Sequence, residues 1–91
     1  MDEPVVIPIE DSLDLHTFAP REVSIVLEEY LDACREQGIM EVRVIHGKGR
    51  GILRDGVSAF LQKSDMVDSF SPAPPDRGGW GAVIVHLKPK K

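Results

Sequence analysis

A single cysteine in 91 residues, Cys34, leaves no partner for an internal disulfide and no cysteine-rich zinc site, so the fold has to rest on packing alone. Aromatic residues are scarce at 5%, with one Trp and one Tyr among them. No apolar run approaches the roughly 20 residues that a membrane span requires. The opening Met-Asp-Glu-Pro has neither the basic start nor the apolar stretch of a secretory signal, so a cytoplasmic protein with no membrane partner is expected. Repeats and low-complexity segments are missing too. What is present is a composition 42% apolar, enough for one compact core, although a chain of this length buries only about 60–65% of its unfolded surface.

The net charge of −4 disfavours a polyanionic partner on its face, because Lys and Arg contacts to phosphate supply most non-specific nucleic-acid affinity. The distribution points the other way. Residues 1–41 carry eleven acids against two bases, and residues 42–91 carry nine bases against four acids, so a half at −9 precedes a half at +5. Local potential is what a ligand meets. Arg43, Lys48, Arg50 and Arg54 fall within twelve residues that contain no acid. The acidic first half reads as a solvated helix face, and it also admits a protein partner.

Residues 1–12 mix prolines, acids and aliphatics and read as an arm, and residues 88–91 read as a basic tail on a domain spanning 13–87. Leu13-Asp14-Leu15-His16 alternates apolar and polar, the period of a half-buried strand that places Asp14 and His16 on one face. A helix opens at Ala19-Pro20-Arg21-Glu22, where proline is tolerated in the first turn. Val23, Val26, Leu27, Tyr30, Leu31 and Cys34 form its stripe, and Gly38 stops it. Val42–Ile45 is a β-branched strand, a second helix runs from about Leu53 to Lys63, Val67–Phe70 is a weak strand, and Ala82–Leu87 is an apolar one. The order β-α-β-α-β-β predicts an α/β two-layer sandwich: a four-stranded mixed sheet with both helices on one face and the other face largely open.

Three segments carry chemistry. His46-Gly47-Lys48-Gly49-Arg50-Gly51 lies between a strand and a helix, where free backbone N–H groups and the helix dipole favour an anion. The spacing matches neither a P-loop nor a dinucleotide fingerprint, and a tight left-handed turn explains the glycines equally well. His16 and His46 each end a strand, and parallel strands would bring them to one edge, where open α/β sheets put their ligands. A histidine there moves protons near neutral pH, oriented in this case by Asp14, or serves as a structural hydrogen-bonder. His86, mid-strand, has no assigned role, and two histidines with one carboxylate make no recognisable metal motif. In the Pro74–Gly81 loop, Trp80 beside Arg77 either stacks a base or caps the core.

Leu13-Asp14-Leu15-His16, His46-Gly47-Lys48-Gly49 and Gly78-Gly79-Trp80-Gly81-Ala82-Val83 together resemble the L-D-x-H, H-G-x-G and G-G-x-G-A-T motifs of the small MutS-related (Smr) domain family, in order and across Leu13 to Leu87. The resemblance implies a fold similar to the carboxyl-terminal domain of translation initiation factor three. It also implies binding of DNA or RNA and endonucleolytic cleavage, or a non-catalytic module recruited to nucleic acid or ribosomes. Carried over by position, Asp14 and His16 are the expected catalytic or substrate-positioning pair, and His46, Gly47, Lys48 and Gly49 hold the phosphate backbone; His46 is also counted as catalytic, and Arg50, Arg54, Arg77 and Trp80 join the nucleic-acid contacts on their charge and aromatic character. Cleavage of RNA would use the 2′-hydroxyl without a metal, whereas DNA would call for a water nucleophile and Mg²⁺. Thr17-Phe18 stands where the family often has glycine, and Val83 where it often has threonine. The ATPase and coiled-coil regions of larger relatives are absent from this sequence, so ATP-independent action is expected, and nothing in it sets an oligomeric state.

Overall fold

A computed structural model describes residues 11–47, 51–77 and 79–89, with the Trp80 side chain excepted. The proposed arm therefore lies almost wholly outside the described residues, as do Lys48, Gly49, Arg50 and the last two lysines. The chain runs β1 (Ser12–Asp14), a 3₁₀ turn at Pro20–Glu22, α1 (Val23–Glu36), β2 (Glu41–Ile45), α2 (Ile52–Lys63), β3 (Val67–Pro72), two further 3₁₀ turns, and β4 (Ala82–Leu87). The sheet order is β1-β2-β4-β3, with β1 parallel to β2 and with β4 antiparallel to both β2 and β3. The expected two-layer α/β architecture with a four-stranded mixed sheet is the one observed.

Proline at the first turn places the chain for α1, and the Glu22 carboxylate accepts the Ala19 N–H at 2.8 Å, satisfying a donor the helix leaves orphaned. At the other end the Gly38 and Ile39 N–H groups donate back to the carbonyls of Arg35 and Cys34, closing the helix as the sequence predicts. Val23, Leu27, Leu31 and Cys34 of α1 and Val57 and Leu61 of α2 are buried against Val42, Val44, Val83, Val85 and Leu87 of the sheet. Burial also pushes the Cys34 thiol up from its ordinary pKa, as suits a cysteine that acts as a small hydrophobe.

Strand alternation sends the intervening residues to the opposite face, which is less open than the sequence suggests. Ile45, Ala82 and Ile84 form a second, smaller cluster there with Ala73, from the segment after β3. That segment is held by polar contacts: the Arg43 guanidinium donates to the Arg77 carbonyl, and Arg77 pairs with Glu41 at 3.2 Å. No helix among the described residues is long and apolar enough to cross a membrane.

Candidate nucleic-acid site

Parallel pairing of β1 with β2 sets the geometry. Ser12, Leu13 and Asp14 lie opposite Arg43, Val44 and Ile45, and Leu15 N–H extends the pairing to the Ile45 carbonyl at 2.8 Å. His16 and His46 are each the next residue, so both leave the sheet at its carboxyl edge. They turn in opposite senses. The His16 side chain is 65% exposed, whereas His46 is buried at 7%, and no hydrogen bond joins the two rings among the described residues.

His16 curls back on Asp14. One carboxylate oxygen, Oδ1, accepts both the His16 backbone N–H at 3.0 Å and the ring Nδ1 at 2.6 Å. The backbone N–H foremost, and then the ring, hold the Asp14 carboxyl below its ordinary pKa. Since a carboxylate only accepts, Nδ1 carries a proton and the ring offers Nε2 to solvent. His46 is fixed by the same logic: its Nδ1 lies 2.9 Å from the Gly47 carbonyl, which also only accepts. Nε2 is left as the functional nitrogen of each ring.

The two glycine motifs meet in space. The Gly81 carbonyl accepts from both His46 N–H (2.8 Å) and Gly47 N–H (2.9 Å), so the segment leading into β4 anchors the start of the glycine loop. Gly47 has φ +83° and Gly51 has φ +86°, left-handed values that favour glycine. Gly51 is also pressed by the Arg54 guanidinium, 2.9 Å from where a Cβ would stand. Arg54, exposed and 3.7 Å from Asp55, shares with His46 the walls of two cavities. One, of about 240 Å³ and open to solvent, is lined by Ser58, Phe70, Ser71 and Val83. The other, of about 300 Å³, is bounded by Phe18, Pro20 and Gly47. Phe18 and Val83, two of the residues that depart from the family pattern, thus each line a cavity with His46. His16 is outside both linings.

The acid-free basic run divides. Arg43 points to the covered face, its Nε buried without a hydrogen-bond partner, while Arg54 stays with His46 on the helix side. Arg77, expected at the ligand, is tied to Glu41 on the covered face. Among the described residues no three His, Cys, Asp or Glu side chains converge as metal ligands. Ser58 and the role of the Gly81 carbonyl escaped sequence reasoning. Gly81 lay inside a quoted motif, but nothing in the sequence tells which carbonyl reaches across to another loop.

The fold and the strand-edge site define a small two-layer α/β domain whose polar residues gather where a strand gives way to a glycine-bordered helix start. The chain belongs to the Smr domain family, whose pattern matches residues 13–88. It is 38% identical over 80 residues to the endonuclease MutS2 of Pediococcus pentosaceus, covering 88% of this chain and 10% of that protein. The MutS2 endonuclease of Thermus thermophilus is 35% identical over 77 residues, covering 85% and 10%. The chain spans about a tenth of the length of these relatives. Among solved structures it resembles the Smr domain of Thermus thermophilus MutS2, with a TM-score of 0.83, 34% identity, and 88% and 100% of the two chains covered. It also resembles YdaL, a stand-alone small MutS-related protein of Escherichia coli, with a TM-score of 0.80, 31% identity, and 86% and 64% covered.

Proposed function

We propose that this domain binds DNA or RNA through the glycine loop and Arg54 and cleaves a phosphodiester bond with the Asp14–His16 pair. The 2.6 Å contact between His16 Nδ1 and Asp14 Oδ1 carries this reading, because it fixes the tautomer that leaves Nε2 as a base. Relatedness to proteins named endonucleases supports it.

On RNA, His16 Nε2 takes the 2′-hydroxyl proton and the 2′-oxygen attacks phosphorus. The bond to the 5′-oxygen breaks, that oxygen takes a proton from water, and a 2′,3′-cyclic phosphate and a 5′-hydroxyl remain. Arg54, the Gly47-Lys48-Gly49-Arg50 loop and, in its imidazolium form, the Nε2–H of His46 hold the phosphate. For DNA, Mg²⁺ bound to the substrate phosphate would supply an activated water. Among the described residues no group of three His, Cys, Asp or Glu side chains makes a Mg²⁺ cage, and Asp14 already holds the His16 ring, so no step runs through a metal. Action in the cytoplasm, without ATP and without membrane association, fits this reading.

The test is product analysis of a structured RNA and a supercoiled plasmid, each with and without EDTA. RNA cleavage that persists in EDTA and leaves cyclic phosphate ends is the expected result. Cleavage of neither substrate would remove the catalytic half. The exposure of His16, outside either cavity, favours a second reading in which the loop binds nucleic acid or a ribosome without chemistry. That reading predicts tight binding and intact substrate.

A further inference from the structure

The 240 Å³ cavity between α2 and the β3–β4 edge has a composition that the phosphate contacts leave unexplained. Its walls are apolar at Phe70 and Val83 and polar at Ser58, Ser71 and the buried His46, with Arg54 at the rim. An apolar pocket with a few convergent polar groups is the usual form of a small-ligand site. This one is smaller than the roughly 300–1,000 Å³ that encloses a drug-sized ligand, a size that suits one heterocycle. Ser58 sits half-buried on α2, one position after the core residue Val57. A larger apolar side chain there would extend the core into this space. Serine leaves it open and adds a hydroxyl. The His46 Nε2 has no partner among the described residues.

We infer that this cavity receives a single unpaired nucleobase of the bound strand, so that the domain engages DNA or RNA preferentially where one nucleotide is unpaired. The base lies beside the Phe70 ring, its edge meets the hydroxyls of Ser58 and Ser71, and its own phosphate reaches Arg54. Removing a base from a duplex costs energy that an unpaired base has already been spared, and this difference generates the preference. The inference rests on the nucleic-acid-binding reading above and names the substrate feature that the same site selects.

Fluorescence anisotropy with two 2′-O-methyl RNA hairpins, identical except for one bulged adenosine, tests it. The 2′-O-methyl groups block cleavage through the 2′-oxygen, and EDTA suppresses metal-dependent cutting. Wild type is expected to bind the bulged hairpin roughly ten-fold or more tightly than the paired one, as one base on an aromatic wall provides. Ser58→Leu, which fills the cavity with a residue of high helix propensity, brings the ratio of the two affinities near one. Ser58→Ala, which keeps the space but removes one hydroxyl from the base edge, lowers the ratio without bringing it to one. A ratio near one for wild type, or a preference unchanged in a folded Ser58→Leu, overturns the inference and leaves nucleic-acid binding standing. Binding to neither hairpin would strike at the nucleic-acid reading itself.

Discussion

Asp14 ends a strand of three residues, and His16 stands two residues beyond it. The chain turns immediately after it, with Phe18 N–H donating to the Leu15 carbonyl, and that turn folds the imidazole onto its own strand's carboxylate. Because the pair depends on an ionised Asp14, its stability contribution has a defined sign. A carboxyl whose folded pKa lies below its unfolded one stabilises the fold above the unfolded value, about 3.9 for aspartate, and loses that contribution as pH falls through the lowered value. Urea midpoints should therefore favour wild type over Asp14→Asn at neutral pH, and the gap should close in acid. Half-exposure of both side chains keeps the gap small. A gap that widened in acid would mean that the pair does not stabilise the folded state.

Among the elements, the start of α2 is the most constrained. Gly51 combines a left-handed backbone with close contact to Arg54, so Gly51→Ala should cost about 1–2 kcal/mol in chemical denaturation and displace the guanidinium from the His46 cavities. Loss of nucleic-acid affinity beyond the stability cost would mark that displacement. The helices and β4 were legible in the sequence because their apolar residues follow the period of a buried stripe, and Gly38 marked the end of α1. The same alternation rule placed Asp14 and His16 together. The covering of the second face was not legible: Ala73 and Ile84 meet only through the path of the segment after β3, and Arg77 is committed to Glu41 by that path. The Gly81 bridge to His46 and Gly47 was hidden for the same reason, since it joins carbonyl and N–H groups that every sequence carries. Phe18, which the sequence marks as a departure from the motif next to the candidate site, lines a cavity with His46.

For the whole molecule, a chain at −4 can bind a polyanion only if its charges are segregated. The fold splits the basic run, sending Arg43 to one face of the sheet while Arg54 stays with His46 on the other, so the cation at the His46 cavities is Arg54. Affinity should fall steeply with salt, and Arg54→Ala should weaken binding across sequences while lowering the slope of log affinity against log salt by about one. A salt-independent affinity would contradict an interface built on phosphate contacts. The central claim, that an oriented imidazole at the carboxyl edge of β1 performs the chemistry, is tested most directly by single-turnover cleavage at saturating protein with wild type and His16→Ala. The prediction is a rate loss of about 10²–10⁴-fold in His16→Ala, with the bound fraction retained. Equal rates for the two proteins would contradict it.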